Sequence, residues 1–418
     1  MSGYSSIDET LLREVIGYEE AEIIDLEVTD FCEAGDNFAS ILKGAKFKAV
    51  TNGNVHNYDI VIKLAKNIAS NDVDFSSLVF YKEIGFYRKL VPCFENWQKE
   101  KFGCIKYAPP APNSLFGSFD RNILVLDNLK LHGFANANRM YGLNFQKCRF
   151  TLKALARFHA YGAAFAKDYG EDKLLKDFDF LKDNSQQFYE NEDMMKMFRN
   201  MHDHTLDSID GLLSNSYPEE VSDIKDLINY GKKHFIAENI GKYSLPNEKF
   251  NVIGHGDLWT NNILFKYDEA GSFHEIKFVD FQLMRYSTPA ADLIYFIWMS
   301  GDKEVLVEKQ EQLLEMYYLH LQKELEILDI ELSYTFKDLK EDYFSFIDYG
   351  IMQCVKTSLY FAAKTEDSLV LKEGESVFGE EGIAKINSKT NELVNSASEH
   401  VKEKLINVVR YGKKMNLY

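Results

Sequence analysis

Positive charge is scarce in this chain. Its 48 lysines and arginines face 65 aspartates and glutamates, for a formal net charge of −17. The lysines are spread along helical faces and form no basic patch. A nucleic-acid partner is therefore not expected, because neutralising a phosphate backbone takes clustered cations. A polyanionic substrate is disfavoured for the same reason. Cysteine is scarce too: Cys32, Cys93, Cys104, Cys148 and Cys354 are odd in number and none belongs to a CxxC pair. That argues against a disulfide framework or a structural zinc site. Long apolar runs are missing, since none reaches the ~18 residues of a membrane-spanning helix. The opening MSGYSSIDET has neither the basic nor the apolar segment of a secretory signal. No internal repeat or low-complexity tract occurs. Together these absences predict a globular protein in a reduced, cytoplasmic setting, with no membrane span.

What is present is apolar material for a large core, 45% of 418 residues, at a length that suggests two lobes. From about 22 to 65 the text reads as strands. NFASILKGAKFKAV and YDIVIKLA flank the turn-like TNGNVHN, which predicts a hairpin. Residues 73 to 90 carry apolar side chains at helical spacing, and RNILVLDNL (121–129) is a buried-strand run. From 144 onward helices are expected over 144–168, 175–214, 219–240, 303–327, 333–362 and 379–412. A single sheet-like island, 251–283, interrupts them, where NILFKY and HEIKFVDF flank the turn signal DEAGS. The expected fold class is α+β: a small β-rich N-lobe (1–128), a connector near 127–135, and a large, mainly helical C-lobe (129–418).

The island holds the densest polar run, HGDLWTNN. Asp257 and Asn262 precede one strand of its hairpin and Asp280 ends the other. A hairpin brings its outer ends together, so the three side chains can converge. Two carboxylates and an amide oxygen are hard ligands suited to Mg²⁺, which binds substrate phosphates while keeping several waters. One carboxylate can instead take a proton from an attacking hydroxyl. Positioning, metal charge and a proton acceptor are what phosphoryl transfer needs.

HGDLWTNN with VDFQ resembles the catalytic and metal-binding loops of the protein-kinase-like fold. The block HGDLWTNNILFKYD…IKFVDFQLMRYSTPAADLIYF is similar to the ecdysteroid kinase-like (CHK kinase-like) family of arthropods, related to choline kinases and aminoglycoside phosphotransferases. The resemblance runs from about residue 30 to 300. It implies a bilobal kinase-like fold and an ATP-dependent enzyme that phosphorylates a small-molecule hydroxyl. In that reading Asp257 is catalytic, and Asn262 and Asp280 hold Mg²⁺. Lys63, in IVIKLAKN, orients the α/β-phosphates of ATP, and Glu83, in VFYKEIGFYRKLVP, pairs with Lys63. Asp127, Asn128 and Leu129 form the linker whose backbone meets adenine. EAGDNFAS occupies the phosphate-loop position, which implicates Asn37, Phe38, Ala39 and Ser40. It has one glycine and no GxGxxG, and ordinary turn chemistry explains it equally well.

The acceptor implied is a steroid-type alcohol such as an ecdysteroid, or a xenobiotic alcohol or glycoside. Asp280 and Pro289 are only nine residues apart, too few for a peptide-binding activation segment, and the glycine of HGD stands where protein kinases carry an arginine. A choline-type acceptor would want an aromatic and acidic cage, of which the sequence gives no sign. A nucleotide-binding pseudokinase without turnover is the competing class, although every catalytic position is filled. For the remaining polar residues the plainer reading is preferred. His255 is expected to brace the loop rather than touch substrate, His159 to be a satisfied core histidine, and Asp292 to cap or brace the catalytic loop. Arg285 is open between an acceptor or phosphate contact and an internal ion pair.

Overall fold

The computed structural model describes residues 7–31, 40–65, 75–183, 192–234, 240–361 and 379–418. Strands β1 (Glu22–Asp30), β2 (Ser40–Thr51), β3 (Asn54–Ala65), β4 (Ser114–Ser118) and β5 (Ile123–Asp127) form one antiparallel sheet in the order β1-β2-β3-β5-β4. The hairpin expected in this region is there, but tighter. Thr51 pairs with Asn54, so only Asn52 and Gly53 turn, both at positive φ (50° and 79°). That is the Asn-Gly signature of a two-residue turn whose twist matches the strands, and it lets VHN continue β3. One sheet face packs on α1 (Glu9–Ile16), burying Leu11, Leu12, Ile23, Phe47 and Ile62 in a core of its own.

Helix α2 (Phe75–Gly85) crosses beside the sheet and does not stop at 90. It passes through a π turn, Phe86–Leu90, into α3 (Val91–Phe102). The Val91 N–H reaches back to the Phe86 carbonyl. Widening the turn this way lets the helix accommodate Pro92, which has no N–H to give.

After the connector, α4 (Phe145–Tyr169), N-capped by Asn144, runs through the middle of the helical part, burying Leu152, Leu155, Ala156, Phe158 and His159. The island appears as β8 (Ile263–Tyr267) and β9 (Phe273–Phe278), joined at one edge by the short β6 (Ala135–Asn136). A second ribbon pairs β7 (Val252–Gly254) with β10 (Arg285–Ser287). Helix Pro289–Ser300 follows.

Several expected long helices are broken. The stretch 175–214 is the end of α5 (Glu171–Asp177), a short 3₁₀ turn at Asp179–Leu181, and helix Glu192–Ser216. Likewise 333–362 splits into Phe336–Ser345 and Ile347–Phe361, and 379–412 into Gly379–Asn395 and Glu399–Lys414. Apolar periodicity reports which face is buried. It does not report a one-residue change of axis such as that at Phe346, whose φ of −104° and ψ of 11° leave the helical basin. Among the described residues no helix is long and apolar enough to cross a membrane.

Candidate active site

Lys63 sits in β3 between Leu42 of β2 and Leu124 of β5, so it is fixed by two strand registers. The residue is only 4% exposed, and its ammonium lies 2.6 Å from Glu83 Oε2 and 2.5 Å from Asp280 Oδ1. Burial alone would lower its pKa. The Asp280 and Glu83 carboxylates outweigh that and hold it above the ordinary lysine value. Burial pushes the Glu83 carboxyl upward, and the Lys63 charge pulls it back only in part. A buried ammonium is tolerated only with such partners.

Asp280 follows β9 in the left-handed region, φ 68° and ψ 60°, a conformation that Asp adopts at lower cost than most residues. The turn Phe281–Leu283 then leads directly into β10. Phe281 stacks on Phe86 at 4.0 Å between ring centroids, which ties this turn to the helix carrying Glu83.

Asp257 is buried and held from three sides. Tyr295 donates its hydroxyl to Oδ1 at 2.8 Å, and Asn262 Nδ2 donates to its backbone carbonyl at 2.8 Å and to Oδ2 at 3.2 Å. Burial, with the nearby Asp280 charge added, pushes its carboxyl up to about 7, against the hydrogen bonds from Tyr295, Gln282 and Asn262. A buried carboxyl whose proton affinity is raised by a neighbouring carboxylate marks a place where a cation would be favoured.

The donor set agrees with that. Asn262 spends its amide nitrogen on Asp257, which leaves Oδ1 as an oxygen ligand, and Asp280 binds Lys63 through Oδ1. Among the described residues there is no group of three or more His, Cys, Asp or Glu side chains placed to hold a metal. An all-oxygen set of two carboxylates and an amide fits Mg²⁺ shared with phosphates and waters, not zinc.

The loop carrying Asp257 is braced by Asp292. Its Oδ2 accepts the His255 N–H at 2.7 Å and His159 Nε2 at 3.1 Å, and its Oδ1 accepts the Gly256 N–H at 2.8 Å. Burial disfavours the charge on Asp292, but the His159 hydrogen bond and the electrostatic pull of His159, Arg285 and His255 hold its pKa far below the usual carboxylate range. His159 is also bonded to the Tyr317 hydroxyl, the satisfied core histidine expected. His255 Nε2 lies 3.0 Å from the Val279 carbonyl, and Nδ1 accepts the Asp257 N–H at 3.3 Å. A carbonyl can only accept, so the proton is on Nε2, and burial favours this neutral form. His255 braces the loop, as expected.

Gly256 has φ 81°, and a Cβ there would lie 1.9 Å from the Leu283 carbonyl oxygen. No side chain fits, which accounts physically for the glycine in HGD. Gly256→Ala is expected to destabilise the fold by at least ~1–3 kcal/mol from backbone strain alone. A lower denaturant midpoint at unchanged slope would register it; an unchanged midpoint would contradict the loop geometry.

The linker residues divide. Asp127 commits its N–H to the Asn113 carbonyl and its carboxylate to the Asn113 N–H and side-chain amide. Asn128 binds Asp59 and caps the next turn, and Leu129 is buried against Phe134 and Leu264. The Asp127 donor is thus spent. Of the suggested phosphate loop, Asn37, Phe38 and Ala39 lie outside the described residues; Ser40 opens β2 and is buried. Arg285 has no carboxylate within salt-bridge distance among the described residues, and its Nε is buried without a hydrogen-bond partner there.

Tyr295 and Gln282 were not foreseen. The signal for Tyr295 was present: it follows Asp292 by three residues on one helix, so both face the loop.

A five-stranded antiparallel lobe beside a helical one, with a strand lysine meeting a helix glutamate and a carboxylate after a hairpin, defines a protein of the kinase-like fold. The chain belongs to the ecdysteroid kinase-like family, whose model matches residues 34–330. Membership points to a kinase-like small-molecule phosphotransferase, a class that uses ATP and usually a divalent metal. No curated protein matches the chain.

Proposed function

We propose that this protein is an ATP-dependent O-kinase that transfers the γ-phosphoryl group to a hydroxyl of a small acceptor. The acceptor class is an ecdysteroid-type steroid alcohol, or a xenobiotic alcohol or glycoside. Residues 1–128 form the nucleotide-binding lobe and 129–418 the lobe carrying the catalytic loop and the acceptor. The observation that supports this most is the meeting of Lys63 with both Glu83 and Asp280, the latter 217 residues away. A buried cation shared by a helix carboxylate and a distant carboxylate is the arrangement a phosphate site asks for.

In this reading Lys63 orients the α/β-phosphates and Glu83 holds Lys63 in place. Asn262 Oδ1 and Asp280 would hold Mg²⁺, which supplies charge to neutralise the transferring phosphoryl oxygens. Asp257, oriented by Tyr295 and Asn262, accepts or orients the hydroxyl proton of the acceptor. A cleft adjoins the same loop at Trp259 and Thr260 and is walled by Met299, Thr357 and Ser358. Its lining also includes the charged Arg139, Asp302, Lys303, Glu403 and Lys404, so its chemistry by itself selects no acceptor class. Between Asp280 and Pro289 there are only a 3₁₀ turn, Met284, the three residues of β10 and Thr288, so a peptide has no platform.

The test is an acceptor screen with purified protein, ATP and Mg²⁺, read by mass spectrometry for a phosphate mass gain. Mg·ATP binding without transfer to any hydroxyl compound would favour the pseudokinase class instead. Lys63→Met, which keeps the apolar stem and deletes the charge, is expected to slow transfer on the order of 10²-fold. Measuring ATP affinity and kcat separately shows whether binding or positioning is lost. An unaltered rate would make Lys63 a packing residue.

A further inference from the structure

Lys82, the residue before Glu83, is also buried, at 6% exposure, yet it faces away from Lys63. Consecutive helical residues point about 100° apart. While Glu83 turns to Lys63, the Lys82 ammonium turns to the helical lobe. There it donates to the Phe180 carbonyl at 2.6 Å, the Lys182 carbonyl at 2.8 Å and the Met284 carbonyl at 3.2 Å. All three of its protons are used, and no carboxylate lies within salt-bridge distance among the described residues. Asp179 and Asp183 supply the nearest opposing charge, and Arg285 the nearest like charge.

The three carbonyls belong to two separate segments. Phe180 and Lys182 lie at the turn after α5, and Met284 lies four residues after Asp280. Other contacts hold the same helix to the first segment: Tyr81 donates to Asp179 Oδ1 at 2.6 Å, and Gly85 lies against the Phe180 ring, where a Cβ would come within 2.7 Å. Phe86, stacked on Phe281, ties the helix to the second segment, and Lys82 bonds to both segments through one side chain.

We propose that Lys82 is a positioning residue: by bridging the Phe180, Lys182 and Met284 carbonyls, it holds α2 in the placement that lets Glu83 and Asp280 meet the same Lys63 ammonium. The inference rests on the kinase reading above and adds a residue to its machinery. Without the bridge, the helix keeps the Tyr81–Asp179 and Phe86–Phe281 contacts but loses its hydrogen bond to Met284, and Glu83 shifts relative to Lys63 while the rest of the fold stays packed. Burial lowers the Lys82 pKa to about 8, with Arg285 adding to it and Asp183 and Asp179 opposing. The bridge is therefore charged at neutral pH and weakens as pH rises past that value.

The test compares Lys82→Met, Lys82→Gln, Glu83→Gln and the Lys82→Met/Glu83→Gln double variant in Mg·ATP affinity by calorimetry and in transfer rate. Lys82→Met is expected to lower transfer on the order of 10–100-fold, the scale of a small misplacement in a reacting site. Lys82→Gln, with two donors on a shorter stem, is expected to recover part of it. Because Lys82 acts through Glu83, adding Lys82→Met to Glu83→Gln is expected to cost less than about twofold more. The parent rate is expected to decline above about pH 8 on a limb that Lys82→Met lacks. Multiplying effects in the double variant would overturn the proposal, as would loss of folding in both Lys82 variants, since either makes Lys82 a general structural residue. If the parent transfers phosphate to no acceptor, the functional reading fails, and the coupling between Lys82 and Glu83 is read from Mg·ATP affinity alone.

Discussion

Asp280→Asn is expected to reduce phosphoryl transfer by roughly a thousandfold or more while the chain remains folded. The substitution keeps the shape and removes the charge proposed to anchor the metal. Metal charge stabilisation is worth several kcal/mol, and about 1.4 kcal/mol is a factor of ten in rate. Stability should change far less, because two effects oppose each other. Lys63 loses one of its two carboxylate partners but keeps Glu83 at 2.6 Å. At the same time, the Asp280 charge that raises the pKa of both Asp257 and Glu83 is gone. Circular dichroism and a denaturant midpoint check the fold, and mass spectrometry of a phosphorylated acceptor checks the rate. A folded Asp280→Asn protein with near-parental activity would remove the metal assignment. Weaker Mg²⁺ dependence of ATP binding is the second readout, independent of any acceptor.

Asp257→Asn should slow transfer by about 10²–10⁴-fold, the usual range for a general base. The lower end is favoured because a loose phosphoryl transition state asks little of a base. The surroundings tell in advance that the mutant can fold. Asn keeps one oxygen to accept from Asn262 Nδ2. Its new amide can face Tyr295, whose hydroxyl accepts as well as donates. Mg·ATP binding should survive, since Asn262 and Asp280 carry the metal in this assignment. Calorimetry of the mutant therefore separates it from Asp280→Asn, where nucleotide binding itself should suffer. Full transfer activity in Asp257→Asn toward a validated acceptor would show that the catalytic group lies elsewhere.

These experiments concern residues that could be picked out from spacing alone. The order Asp257, Asn262, Asp280 was legible because the hairpin between them is written locally, in DEAGS and in alternating strand residues. The β2–β3 turn was legible in Asn52-Gly53 for the same reason. Lys63 stood out because a lysine inside an apolar strand is costly without a partner. The bracing roles expected for Asp292, His159 and His255 agree with the hydrogen bonds found, since a buried polar residue within a packed motif must find a partner.

Other features were not legible. The breaks at Phe346 and Phe178 leave apolar periodicity almost unchanged, so the sequence reads through them. The helical pattern was read only over residues 73 to 90, but a π turn carries the helix on past Pro92. Lys82 looks in sequence like an ordinary helix lysine. Its burial depends on the Phe180 and Met284 carbonyls, which lie 98 and 202 residues away. Tyr295 reaches Asp257 only because the helix it rides is docked beside the loop.

By itself the sequence determined the local pieces: the hairpins, the strand lysine, the helix-borne glutamate, and the loop order that marks a kinase-like protein. Turn conformation, strand alternation and the cost of a buried charge act over a few residues and leave their trace in composition and spacing. Only the tertiary structure decided that Lys63 meets Asp280, that Gly256 admits no side chain against Leu283, and that Lys82 ties α2 to two distant segments. Those outcomes depend on where separate elements pack against one another, and no short window of residues encodes a contact between atoms brought together from opposite lobes.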